Sequence, residues 1–272
     1  MTVNEIKKLL DQDNDLKTIA ESYTEISAAK MQRIRAGIEK NRLFFDEISL
    51  LYETLKRSAS TRNIHLQPKP RQNLSILITS NYPFYGQIEK PVVDLFIKAE
   101  NTNLMVIGKT AVEYIKTTHP NIKFETLFLA KDLPNNQEFG KLREIIRSYN
   151  FIFVYFSKMI TSFNQKPQIL NLSQIIKKYN NIAKIDYIFE PDIYQMMQFF
   201  DSEILLSLIV QSFLEAELSR TAGRLIAMDE ASNRSDQIIK EDKKKLALAF
   251  KNVQDTSLLD MIISVKGHLH GF

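Results

Sequence analysis

The chain has 272 residues, 44% of them hydrophobic and 25% charged, which is the composition of a folded protein with a core rather than of a disordered one. Its net charge of +4 is compatible with an acidic partner surface but far below what a dedicated nucleic-acid binder carries. Cysteine is absent, which excludes disulfides, thiolate metal sites and a cysteine nucleophile together. The polar start, MTVNEIKKLLDQDND, lacks a signal-peptide apolar core, and no run approaches about 18 uninterrupted apolar residues. The expectation is a cytoplasmic chain that does not span a membrane.

The first 67 residues hold no proline and a single glycine, Gly37. Proline costs about 3 kcal/mol inside a helix, so this segment is free to be one long helix. Ile6, Leu9, Leu10, Leu16, Ile19, Tyr23, Ile26, Ile34, Ile38, Phe45, Ile48 and Leu51 recur mostly at steps of three, four or seven. Such a stripe must be buried against something.

The eight prolines all fall between 68 and 191. This middle region alternates short β-branched and aromatic runs with helical stretches. LSILITS (74–80), NLMVIGK (103–109), IKFETLFLA (122–130) and NFIFVYFSK (150–158) read as strands. EKPVVDLFIKAE (89–100), TAVEYIKTT (110–118) and QEFGKLREIIRSY (137–149) read as helices between them. The alternation predicts βαβ units and a mainly parallel sheet. KPQILNLS (166–173) and AKIDYIFE (183–190) read as edge strands, with PKP (68–70) and Glu190–Pro191 at the junctions.

After Pro191 the chain is again free of proline, with Gly223 as the one glycine between 192 and 266. Ile193, Met196, Met197, Phe200, Ile204, Leu205, Leu208 and Ile209 form a helical stripe. It continues through Leu214, Leu218, Leu225, Met228, Ile238, Leu246, Phe250, Val253, Leu258 and Met261. At about 1.5 Å per residue neither terminal helix belongs inside a globule of this size. Each stripe is the obvious partner for the other, and the expected fold is α/β: an antiparallel coiled coil of long N- and C-terminal helices (1–66 and 191–272) plus a central Rossmann-like α/β domain (67–190).

The chemistry-bearing signals are weak. No G-x-G-x-x-G follows a strand and no G-x-x-x-x-G-K-[ST] occurs, so a phosphate cradle is not expected. Ser80 and Tyr82 near a strand end have no base beside them and read as turn residues. Lys240, Lys243, Lys244 and Lys245 read first as a solvated helix face, then as a contact for acidic loops. The Met residues at helical positions (Met196, Met197, Met228, Met261) read as packing. His268 and His270 lack the neighbours a metal site needs. No catalytic, cofactor-binding or metal-binding residue is expected in this chain.

Five segments carry a family resemblance. SAAKMQRIR (27–35), with Ala28, Ala29 and Lys30, resembles the N-terminal signature of the gamma subunits of F-type ATP synthases. LITSNYPFYG (77–86), VIGKTAVEYIK (106–116) and YIFEPDIYQMM (187–197) are similar to that family's central strands and helix entries. RLIAMDEASNRSDQII (224–239) is the most specific match, through Arg224, Ala227, Met228, Ala231 and Asn233. Asn233 reads equally as a coiled-coil packing residue or as part of a polar face. The chain departs from the family pattern at Asn81–Gly86, at Gln254–Asp255 where an Arg–Gln pair is common, at the ending GHLHGF (267–272), and in the acidic first helix (Asp11, Asp13, Asp15, Glu21, Glu25).

The resemblance implies a central rotor shaft inside a hexamer of alpha- and beta-type subunits, which themselves bind ATP and ADP with Mg. An epsilon-type subunit and a membrane ring, or a replacement for it, are further implied partners. The complex would sit on the inner face of the cell membrane, making or hydrolysing ATP, and the named motif residues with Gln254 and Asp255 would face the hexamer. The departures leave two alternatives open. One is the gamma-like rotor of a paralogous F-type-like ATPase of a mycoplasma-like bacterium, driving motility or another surface process. The other is a coiled-coil adaptor without an ATPase.

Overall fold

The computed structural model describes residues 2–61, 72–82, 88–99, 103–172 and 192–269. The elements in chain order are α1 (Val3–Thr61), β1 (Asn73–Ile78), α2 (Lys90–Ile97), β2 (Asn103–Ile107), α3 (Lys109–Thr118), β3 (Glu125–Leu127), α4 (Asn136–Arg147), β4 (Phe151–Thr161), β5 (Asn164–Asn171) and α5 (Ile193–Leu269). Two compact units result, one of Met1–Ile26 with Leu225–Phe272 and one of Ser27–Arg224. Both α1 and α5 contribute to each. The junctions at 68–70 and 190–191, the run 183–190 and the loop 83–87 lie outside the described residues, as do the side chains of His268 and His270.

In the larger unit a five-stranded sheet has the order β3-β2-β1-β4-β5. The first four strands are parallel, joined by α2, α3 and α4. β5 turns back antiparallel on β4 through a hairpin at Ser162–Phe163 and forms the edge. Alternation along β1 explains how both faces are filled. Leu74, Ile76 and Ile78 point to the face covered by Leu142 and Ile146 of α4, by Ile48 and Tyr52 of α1, and by Ile204, Leu208, Ile209 and Phe213 of α5. Leu77 points to the other face, where Val92, Val93 and Phe96 of α2 meet Val112 and Ile115 of α3.

Local chemistry sets the helix starts. In α4, Asn135 and Glu138 form a capping box, each side chain accepting from the other's backbone N–H. Thr2 and Glu5 make the same reciprocal contact at the start of α1, at 3.3 and 2.8 Å. Pro91 sits in the first turn of α2, where its missing N–H has no partner to lose. β3 is shorter than the run 122–130 suggested. Among the described residues it pairs only with β2, and Glu125 and Thr126 are exposed.

α1 and α5 are antiparallel within each unit. In the larger one, α1 residues Lys30, Asn41 and Tyr52 meet α5 residues Glu217, Ser207 and Asp201, so partners descend on one helix as they ascend on the other. In the smaller one, Lys17 bonds Asp236 at 2.7 Å and Lys7 lies over the ring of Phe250.

The buried seam of α1 differs from the expected stripe. It runs through Ile6, Leu10 and Ala20 in the smaller unit, then Ser27, Met31, Ile34, Ile48, Tyr52, Leu55 and Ala59 in the larger. The steps are threes, fours and their sums in one heptad register along the helix, which the half-buried Asp13, Lys17, Thr24, Ile38, Asn41 and Phe45 complete. Leu9, Leu16, Ile19, Tyr23, Ile26 and Leu51 are exposed instead. On α5 the seam of the smaller unit is Ile239, Asp242, Leu246 and Ala249, while Ile238, Phe250, Val253, Leu258 and Met261 are exposed. The heptad phase, carried by polar residues where apolar ones are missing, decided the packed face.

α5 also bears on the expectation about membrane spans. By length and composition it contains one stretch that could cross a membrane, although half of that stretch is buried inside the protein. Ile204, Leu208, Ile209 and Phe213 sit in one core with α1 and the sheet, and a helix packed on several sides is apolar for that reason.

Candidate functional site

The sheet order places β1 between strands whose connections run on opposite faces. In an open α/β sheet, the crevice beyond the carboxyl ends of two such strands, here β1 and β4, is where ligands bind. In this chain the protein's own side chains occupy that edge.

The turn after β2 comes close to the end of β1. Gly108 has φ 109°, and a Cβ there would lie 2.5 Å from the carbonyl oxygen of Thr79. This approach lets the N–H of Thr79 reach the Ile107 carbonyl at 2.8 Å, and the N–H of Thr110 reach the Ser80 carbonyl at 3.2 Å. Only glycine fits both the torsion and the space.

Glu89 is the N-cap residue of α2, yet it makes no capping bond with its side chain. Its carboxylate accepts instead from the backbone N–H of Ser80 (2.7 Å) and from the Thr110 hydroxyl (2.7 Å), binding the β1 and β2 ends together. Asp132 does the same for the next loop, accepting from the N–H of Asn81 at 2.8 Å.

Into this acidic rim α5 delivers Arg220. The Arg220 and Glu217 side chains are both 1% exposed. The guanidinium donates to Glu217 Oε2 through Nη2 (2.7 Å) and Nε (3.1 Å), and its Nη1 lies 3.9 Å from Glu89 Oε1. The other oxygen of Glu217 pairs with Lys30 of α1. Burial alone would push the Arg220 guanidinium down, but the charges of Glu217, Glu89 and Asp132 and the hydrogen bond to Glu217 hold it above its ordinary value. It is a permanent cation. Nearby, the hydroxyls of Ser157 on β4 and Ser219 on α5 are 2.7 Å apart, and Lys158 lies 3.4 Å from Glu215. The cluster ties elements together.

Of the residues singled out from the sequence, Lys30 and Ser80 join this network. Ala28 and Ala29 are exposed, and Arg224 is half-buried in the same unit. In the smaller unit Ala227, Met228 and Ala231 are half-buried, and Gln254 and Asp255 are exposed. Asn233 is exposed and donates to Asp229 Oδ2 of its own helix at 3.3 Å, so it belongs to a polar face. Ser80 is buried and Tyr82 exposed, the Ser80 hydroxyl donating to the Tyr82 carbonyl at 2.9 Å. Among the described residues no group of three or more His, Cys, Asp or Glu could hold a metal ion. The sequence reading missed Glu89, Asp132, Glu217 and Arg220. The available signal was Glu217 and Arg220, an oppositely charged pair three residues apart on one helix.

In each unit the two long helices pair head to tail, and in the larger unit an α/β sheet packs against them. A family model described as ATP synthase matches residues 2–251. The ATP synthase gamma chain of Halothermothrix orenii is 21% identical over 98% of this chain and 97% of its own length. That of Buchnera aphidicola subsp. Schlechtendalia chinensis is 23% identical over 96% and 95%. Among solved structures, a chain of the Euglena gracilis mitochondrial ATP synthase (OSCP/F1/c-ring, rotational state 3) superposes with a TM-score of 0.65 at 14% identity, covering 99% of this chain and 95% of that one. A chain of the Tetrahymena thermophila mitochondrial ATP synthase central stalk and c-ring superposes with a TM-score of 0.56 at 17% identity, over 79% and 99%. The chain belongs to the ATP synthase gamma family.

Proposed function

We propose that this chain is the central rotor shaft, the gamma-type subunit, of an F-type rotary ATPase, coupling rotation to ATP synthesis or hydrolysis in a surrounding hexamer of alpha- and beta-type subunits. The supporting observation is the antiparallel pairing of α1 and α5 in both units, in a chain of this family. A shaft needs stiffness, and in each unit the two helices supply it by burying side chains on one another. Its asymmetry favours different nucleotide states in successive catalytic subunits, so rotation and catalysis are linked by differential binding.

In this reading the chain contributes no catalytic residue. ATP and ADP with Mg are bound by the partner subunits, and the complex is peripheral on the inner face of the cell membrane. The exposed Ala28, Ala29, Asn233, Gln254 and Asp255 are contact positions for the hexamer, and the α/β body meets the membrane ring or its replacement, with an epsilon-type subunit beside it.

The test is purification of the tagged chain from membranes, with identification of what accompanies it. Alpha- and beta-type subunits are expected in stoichiometric complex, and the membrane-side companion distinguishes an ATP synthase from a paralogous motor. A chain that elutes alone, as a free coiled-coil adaptor would, refutes the reading.

A further inference from the structure

We infer that Arg220 is a positioning residue for torque: it locks α5 to the carboxyl edge of the sheet, so that load on the α/β body passes to the helix pair through an ion network. The inference rests on the rotor reading and adds to it the residue through which force crosses between elements.

The path is continuous. Lys30 on α1 pairs with Glu217 on α5. Glu217 holds Arg220 through two donors, and Arg220 faces Glu89 at the start of α2. Glu89 in turn accepts from Ser80 at the end of β1 and from Thr110 at the start of α3. Every link lies within the unit Ser27–Arg224.

Stability does not account for such a network. Replacing a buried ion pair with apolar residues of similar volume is often neutral or stabilising, because the charges must be stripped of water. Direction does account for it. Apolar contact is non-directional, so a helix resting on a greasy sheet face resists separation better than sliding. A guanidinium held by a planar fork and facing carboxylates from two elements loses its geometry on any axial or rotational slip. The position is also telling. The crevice that an open α/β sheet offers to a ligand is here filled by the chain's own cation.

The experiment uses the assembled complex, with the hexamer immobilised and a viscous load attached through Lys116→Cys on the exposed face of α3, the chain being free of other cysteines. Arg220→Met keeps the volume but strips a buried carboxylate cluster of its cation, a destabilising change, while Glu217 keeps Lys30 and Glu89 keeps Ser80 and Thr110. Unloaded ATP hydrolysis is expected to stay within about twofold of the parent while the stall load falls by about half. A folded, assembled Arg220→Met complex that stalls at the parent's load overturns the inference. Should that variant not assemble, Glu89→Gln decides, since its amide oxygen still accepts from the Ser80 N–H, the Thr110 hydroxyl keeps the Ser80 carbonyl as acceptor, and the charge facing Arg220 is gone: a reduced stall load supports the inference and an unchanged one overturns it. A parent complex that hydrolyses ATP without turning the load refutes the rotor reading, and the inference with it.

Discussion

Asn41 of α1 donates both amide hydrogens across the helix pair, to the carbonyl oxygen of Ser207 and to Gln211 Oε1, each at 3.0 Å, while the Ser207 hydroxyl donates back to its Oδ1 at 3.3 Å. It occupies a seam position between Ile34 and Ile48, seven residues from each. A polar residue at one core position specifies register at some expense of stability. Asn41→Ala is expected to destabilise the isolated chain by about 1–2 kcal/mol, since the Gln211 carbonyl loses its donor. Asn41→Leu should be near neutral in urea unfolding but should lower the yield of correctly paired protein, read by crosslinking between α1 and α5.

The turn at Gly108 predicts a sharp intolerance. Gly108→Ala would place a methyl group 2.5 Å from Thr79 O at φ 109°. A loss of about 3 kcal/mol is expected from strain at that torsion, with the turn forced away from β1. The thermal midpoint measures it. Gly140→Ala is the control, because a Cβ there meets nothing within 4 Å and alanine favours the helix.

The seam of α1 can be tested by a pair of truncations in the smaller unit. Ile6 is 4% exposed and Leu16 is 58% exposed. Ile6→Ala should lose about 2–5 kcal/mol in denaturant unfolding of the isolated chain. Leu16→Ala should stay within about 0.5 kcal/mol, as an exposed substitution does. Equal effects would place the packed face where the sequence stripe had put it.

Lys17 and Asp236 predict a pH and salt dependence. The hydrogen bond from Lys17 holds the Asp236 carboxyl below its ordinary value, with the charges of Lys17, Lys240 and Lys243 acting the same way against partial desolvation. A carboxyl lowered in the folded state stabilises it fully above the unfolded value, and that contribution is lost as pH falls through the folded one. Asp236→Asn should therefore be less stable than the parent at neutral pH, and the gap should close as the solution is acidified below the carboxylate range. Added salt should narrow it at neutral pH too. Parallel pH series of thermal midpoints would show whether the curves converge.

Much of the architecture was legible in the order of residues. Proline placement separated the helical ends from the punctuated middle, and short β-branched and aromatic runs, with KPQILNLS at the edge, located β1, β2, β4 and β5 to within a few residues. Local rules sufficed there, because a strand buried on both faces must be apolar and a long helix must be free of breakers. The seam was less legible. Leu9, Leu16 and Ile19 mark a stripe as apolar as the real one, and only the partner helix, which meets Lys17 and Ala20 instead, chose between them.

The site shows the same division more strongly. Lys30 was marked by its motif, but nothing in the chain order links it to Glu89, Ser80 or Thr110, which come together because β1 and β2 end side by side and α5 passes across them. By itself, then, the sequence determined the element types, the mainly parallel sheet and the family, all of which rest on periodicity and local motif. The tertiary structure alone decided which faces are buried and which charges meet. Those outcomes depend on the distances between residues far apart in the chain, where one buried arginine must find three carboxylates at once.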